Sequence, residues 1–227
     1  MSLQLKNYIG VPIVFFGDSI TEGQHINPDF RWTDLVLESL KEQYDRTPVD
    51  IIGYNKGISG ETSRQGLLRF NPDVQSLSPD ILVIEFGLND CNFWFTDKGF
   101  PRVSQSAFKA NLEEMIERAK IFDIKHIILC NNHRTLRTKS LPGGKSLEES
   151  RKIYNTVISE IAHQHEVKLC DIDQWFDKID AEDYSNYLLQ KPDLLHLSEL
   201  GHKHYAQKIL SLLTPCIQNI LEPYRIV

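Results

Sequence analysis

Five short apolar runs, at residues 11–16, 49–53, 81–86, 126–130 and 167–172, constrain this chain more than any other feature. Each is five or six residues long and rich in Val, Ile, Leu or Phe, the signature of strands buried on both faces. Between them, apolar residues return at helical spacing: Trp32, Leu35, Val36 and Leu40; Phe108, Leu112, Met115, Ile116 and Ala119; Ile153, Val157, Ile158 and Ile161. A last helix is expected from Glu199 towards Leu213, where Pro215 interrupts it. Strands apolar throughout, alternating with amphipathic helices, predict an α/β chain: a three-layer α/β/α sandwich around a five-stranded parallel sheet. No repeat, low-complexity tract or linker divides residues 1–227, which read as a single domain.

In an open parallel sheet, ligands bind beyond the carboxyl ends of the strands. The segments that leave those ends therefore carry the functional argument. They are Gly17-Asp18-Ser19-Ile20-Thr21-Glu22-Gly23, Asn55 to Thr62, and Gly87-Leu88-Asn89-Asp90, with Asp193-Leu194-Leu195-His196 arriving just before the last helix. Together they supply the parts of an acyl-transfer site. The Ser19 hydroxyl is the candidate nucleophile, and a neutral imidazole at His196 can take its proton near pH 7. Asp193, one turn earlier, can fix the tautomer of that imidazole and stabilise its charged form. The Ser19 amide, the Gly57 amide and the Asn89 side chain are candidate donors to the developing oxyanion. Glycine permits close approach of backbone to substrate, and asparagine donates without carrying charge.

These four segments resemble those of the SGNH hydrolases, also called the GDSL esterase and lipase family. Gly17 to Gly23 is similar to the family's nucleophile segment. Asn55-x-Gly57-x-Ser59-Gly60-x-Thr62 is similar to its glycine segment, with Gly57 at the oxyanion position. Gly87-x-Asn89-Asp90 is similar to its asparagine segment, and Asp193-x-x-His196 with Leu200-Gly201-His202 to its closing segment. The resemblance spans residues 13–206 and implies a flavodoxin-like fold and ester hydrolysis without metal or cofactor. Leu195 and Leu197 depart from the small residues and proline that relatives often carry around the histidine.

Rival readings are weaker. Ser59 lacks the G-x-S-x-G elbow of α/β-hydrolases. His163/His165 and His202/His204 are i, i+2 pairs on helices, pointing apart, so no metal is expected there. Asp18 and Asp90 read as loop braces. A net charge of −6 excludes broad adhesion to nucleic acid. No run approaches the ~20 apolar residues of a membrane span, and no signal-peptide core is present, so a cytoplasmic location is expected. Four cysteines without a C-x-x-C pair read as packed thiols.

Two loops bear on the substrate. Residues 92–101 bring Phe93, Trp94 and Phe95 to the same edge, where they can line an acyl pocket or stack on a sugar ring. Residues 131–145 carry His133, Arg134, Arg137, Lys139 and Lys145 without an acid, an expected anion-attracting face or a lid around Pro142. The expected partner is a small-molecule ester. The first reading is a small acyl (acetyl) ester of a carbohydrate or cytoplasmic metabolite. A thioesterase or lysophospholipase-like activity on longer chains, or a non-catalytic binding module, are the alternatives.

Overall fold

The computed structural model describes residues 8–140 and 144–225. Its centre is strand β1, Ile9–Gly17, in which Val11, Ile13, Val14, Phe15 and Phe16 are all fully buried. Burial on both faces is what an uninterrupted apolar run requires. β1 pairs in parallel with β2 (Val49–Gly57) on one side and β3 (Ile81–Glu85) on the other, and β4 (His126–Cys130) and β5 (Lys168–Cys170) extend the sheet beyond β3. The order is β2-β1-β3-β4-β5. The chain thus turns outward from β1 in one direction to β2 and in the other to β3, and the carboxyl ends of β1 and β3 flank this switch point, where α/β sheets place ligands.

Helices cover both faces. α2 (Trp32–Tyr44) and α7 (Glu199–Leu221) pack together on one; α3 (Ser63–Asp73), α4 (Gln105–Ile121) and α5 (Leu147–Gln164) follow each other on the opposite one. α1 (Ser19–Glu22) and α6 (Ile172–Phe176) are single turns after β1 and β5. The stripes of α2, α4 and α5 are buried, with Leu35 and Ile153 at their margins. On α7, His202 is buried and its Nδ1 accepts the Trp32 amide at 3.1 Å. Burial, reinforced by His133, Arg31 and His196, lowers the His202 pKa to about 3 and keeps the ring neutral for that bond.

The structure departs from the sequence expectations in three places. β5 stops at Cys170 because Asp171 caps α6, its side chain accepting the Gln174 amide at 3.0 Å. α3 carries Gly66 and Pro72, which disguise its helical pattern, yet Thr62 and Gln65 close a capping box at its start. Pro215 does not end α7, which continues to Leu221. The carbonyl it deprives of a partner belongs to exposed Ser211, on the solvent side of the helix, while Leu213, Cys216, Ile217 and Ile220 remain buried. Pro215→Ala is therefore expected to raise stability by about 1–3 kcal/mol, measured as a shift in urea midpoint at constant m-value.

Candidate active site

Ser19 begins where β1 ends. Gly17 is required there, because a Cβ would lie 2.4 Å from the Glu85 carbonyl oxygen on the neighbouring strand. Asp18 caps α1 by accepting the Ile20 amide at 2.9 Å, and the Trp32 indole fixes the turn by donating to the Ile20 carbonyl at 2.8 Å. Ser19 is thereby held at the first helical position, only 5% exposed. Among the described residues its amide has no hydrogen-bond acceptor, as expected in the first turn of a helix.

The far end of the chain brings a histidine to Ser19. His196 Nε2 lies 2.9 Å from Ser19 Oγ across a separation of 177 residues, and His196 Nδ1 lies 2.8 Å from Asp193 Oδ2. The other Asp193 oxygen accepts the amides of Leu195 and His196 at 2.9 and 2.6 Å, the expected single turn. Burial alone would raise the Asp193 pKa, but these bonds and the His196 side chain outweigh it and hold the carboxyl below its usual range. Arg137 Nε donates to the Asp193 carbonyl at 2.7 Å, with a second guanidinium nitrogen 3.5 Å from Asp193 Oδ2. Leu195 and Leu197, the departures from the family pattern, are buried anchors for this loop.

Asn89, beyond β3, faces Ser19 from the other side of the switch point. Its Nδ2 donates to Asp18 Oδ2 at 3.0 Å and its Oδ1 accepts from Arg102 Nη1 at 3.0 Å. The amide is therefore locked in one orientation, with a second N–H left over. Arg102 Nη2 also donates to the Gly60 carbonyl at 2.8 Å, so one guanidinium ties the Asn89 loop to the Gly60 turn. Beneath Asn89, Asp18 shares its buried surroundings with Glu85, which accepts the Thr21 hydroxyl at 3.0 Å. Burial first, then the Asp18 charge, pushes the Glu85 pKa well above the usual carboxyl value. Asp90 braces the start of α3 by accepting the Ser63 amide at 3.0 Å. Ser59, the rival serine, donates to Glu22 instead of a histidine.

Gly57 does not take the expected place. Its amide is already bonded to Asn55 Oδ1 at 2.9 Å, and a Cβ would lie 2.1 Å from the Glu22 amide nitrogen, so this glycine lets α1 pack on β2. The glycine of the open turn is Gly60, at φ +79°, where a Cβ would meet nothing within 4 Å. Its amide has no acceptor among the described residues. Gly57→Ala is therefore expected to cost about 1–3 kcal/mol or more through the clash. Thermal melts of Gly57→Ala and Gly60→Ala should show the larger loss in the first.

Residues 15–204 match the model of the GDSL-like lipase/acylhydrolase family. The chain belongs to that family. It is a carboxylic ester hydrolase with the GDSL-hydrolase fold. An acetylxylan esterase of Geobacillus stearothermophilus is 25% identical over 213 residues, covering 88% of this chain and 93% of the relative. A solved structure of an acetylxylan esterase from the same organism superposes with a TM-score of 0.73 at 25% identity, over 90% of this chain and 95% of that one. A lipase/acylhydrolase from Enterococcus faecalis superposes with a TM-score of 0.71 at 26% identity, over 89% and 95%. An uncharacterised lipoprotein of Bacillus subtilis is 28% identical over 193 residues, 75% of this chain and 73% of its own. Among the described residues, no helix is long and apolar enough to cross a membrane.

Around the site of this GDSL hydrolase, the two substrate loops separate. Phe93 lines a cavity of 260 Å³ with Cys91, Pro101, Ile153 and Tyr154, and exposed Trp94 lies under the Arg102 guanidinium, 4.7 Å from ring centroid to Cζ. The Phe95 side chain lies outside the described part. His133 is not a surface contact: it is buried and its Nε2 bonds the Leu195 carbonyl at 2.8 Å, bracing the His196 loop from behind. Burial lowers its pKa to about 4, with Arg151 and His196 opposing a second charge. Arg134 lies over the Tyr184 ring at 3.9 Å instead of projecting as a free cation. The expected lid around Pro142 falls on residues 141–143, outside the described residues.

Arg102 and His25 join the site without having been anticipated. Neither belongs to a sequence pattern: Arg102 is one cation in a turn, and His25 stands alone two residues after Gly23. The short strong motif beside each could only have marked the neighbourhood. His25 is exposed at φ +70°, with its ring edge-on to that of His196, centroids 5.4 Å apart.

Proposed function

We propose that this enzyme hydrolyses small acyl esters, acetyl esters of carbohydrate in the first instance, through an acyl-enzyme on Ser19. The observation that carries the reading is the continuous relay from Ser19 Oγ through His196 to Asp193, with bonds of 2.9 and 2.8 Å. Ser19 Oγ attacks the ester carbonyl carbon as His196 Nε2 takes its proton, and Asp193 stabilises the imidazolium. The carbonyl oxygen becomes an oxyanion received by the amides of Ser19 and Gly60 and the free N–H of Asn89. Collapse breaks the ester C–O bond as His196 protonates the departing alcohol. Water, deprotonated by His196, then cleaves the acyl-enzyme, and the proton returns to Ser19 as the acid leaves.

The acetyl preference draws support from the acetylxylan esterase of Geobacillus stearothermophilus, which matches over most of both chains in sequence and in structure. Exposed Trp94 beside Arg102 offers a flat ring on which a sugar can stack. The four cysteines are free and buried, which suits a reducing compartment, and we place the enzyme in the cytoplasm on that ground. The largely apolar cavity behind Phe93 supports a second reading, hydrolysis of longer acyl chains in the manner of a thioesterase.

A series of nitrophenyl esters separates the two, alongside acetylated xylo-oligosaccharides. A steep fall in kcat/KM beyond acetyl is expected, and a rise with chain length would replace the first reading by the second. Labelling by a fluorophosphonate at Ser19 tests the covalent step; folded protein that does not label would leave a binding module.

A further inference from the structure

We propose that the enzyme carries a reversible inhibitory site for a divalent transition-metal ion, formed by His25, Asp193 and His196. This proposal rests on the reading of His196 as the general base. One ligand atom from each of the three residues lies within 4.8 Å of the other two. Among the described residues no other such cluster of three converges. Two imidazoles and a carboxylate are a set that zinc accepts, with water completing a tetrahedron at ligand distances of about 2.0–2.2 Å.

The third ligand is held in place by its backbone. Gly23 and Gln24 both donate their amides to the Ser19 carbonyl, at 3.1 and 3.0 Å, and Arg31 Nε donates to the Ile26 carbonyl at 3.2 Å. Between these fixed points, His25 adopts φ +70°, a left-handed conformation uncommon for a residue with a Cβ. The conformation sets its ring edge-on to that of His196, with the residue exposed. A small rotation of this exposed ring closes the ligand set. Arg137, 3.5 Å from Asp193 Oδ2, opposes the ion by charge, which makes the site selective for ions that bind imidazole strongly. Magnesium and calcium, which take oxygen ligands, are excluded.

Inhibition follows from the two nitrogens of His196. An ion on Nε2 occupies the lone pair that must accept the Ser19 proton. An ion on Nδ1 inserts beside Asp193, and the Nδ1 proton moves to Nε2, which then faces Ser19 as a donor. Either way the ring is uncharged, metal-bound and unable to act as a base. The ester bond is untouched and no redox change occurs, so removal of the ion restores the enzyme.

The test titrates wild-type protein with zinc chloride and magnesium chloride, following ester hydrolysis and, separately, zinc binding by competition with a chromophoric zinc indicator. One zinc per chain, inhibition by zinc reversed by EDTA, and no effect of magnesium are expected. His25→Asn keeps a side chain that tolerates the left-handed backbone and removes the imidazole. It is expected to raise both the half-inhibitory and half-binding zinc concentrations by about tenfold or more. His25→Gly, which also accepts that backbone, should do the same. Equal zinc sensitivity of wild type and both variants, or no inhibition and no competition with the indicator at millimolar free zinc, overturns the site. The indicator titration on Ser19→Ala protein is independent of catalysis. Ser19→Ala that still hydrolyses esters would refute the nucleophile assignment while leaving the metal site to be judged by binding alone.

Discussion

Ser19→Ala is expected to lower kcat for a short-chain nitrophenyl ester by about 10⁴–10⁶, the range over which serine nucleophiles act when their base and oxyanion donors remain in place. The fold is expected to survive. The Ser19 hydroxyl makes a single side-chain bond, to His196, and the α1 turn is held by Asp18 and Trp32, neither of which the substitution touches. The melting curve should therefore shift by no more than about 1 kcal/mol of stability. Asp193→Asn tests the other end of the relay. An amide can still accept the Leu195 and His196 N–H groups, so the loop stays folded. Its NH₂, turned towards Nδ1, would favour the tautomer with the proton on Nε2, and kcat is expected to fall by about 10⁴. Wild-type turnover in either variant would sink the mechanism.

The second large effect is expected at Asn89. Asn89→Ala removes one proposed oxyanion donor and should lower kcat by about 10²–10³ with little change in KM, because that interaction strengthens only as charge develops. Arg102 acts on the same step at one remove. It holds Asn89 Oδ1 at 3.0 Å and the Gly60 carbonyl at 2.8 Å, so it sets the orientation of the amide and ties two turns together. Arg102→Ala frees both, and a fall in kcat smaller than that of Asn89→Ala is expected. Arg102→Lys should recover little, since an ammonium cannot reproduce a planar two-pronged contact. A change confined to KM in Arg102→Ala would reassign this residue to substrate binding through Trp94.

The strands were legible because burial on both faces leaves an uninterrupted apolar run, and β1 needs nothing else to be recognised. Pro215 misled because a proline's cost depends on where its orphaned carbonyl points, and Ser211 faces water. α3 was hidden by Gly66 and Pro72, although its capping box, Thr62 to Gln65, is a purely local signal. Ser19, Asn89, Asp193 and His196 could be read because each follows a strand or precedes a helix in a recognisable segment. Gly57 and Gly60 sit in the same segment and differ only in what their amides and missing Cβ atoms meet. That is a three-dimensional property: Gly57 faces the α1 backbone and Gly60 faces open space. Similarly, His133 looks like part of a basic surface until burial turns it inward behind Leu195. Arg102 is an ordinary charged loop residue until the fold brings it between two turns.

The position of β1 in the middle of the sheet has a consequence for the order in which this molecule can be assembled. Of the five strands, β1 is synthesised before the others; it is wholly apolar over Val11 to Phe16, apart from Pro12, and only one of its two edges can be satisfied when β2 follows. The other edge waits for β3, about 65 residues later in synthesis, at a rate of about 5–20 residues per second. For those seconds the nascent chain presents an unpaired edge of Ile, Val and Phe, the kind of surface that attracts chaperones or other chains. Folding yield is thus more exposed to mutations that slow pairing of β1 with β3 than to equally destabilising changes at the outer strand β5.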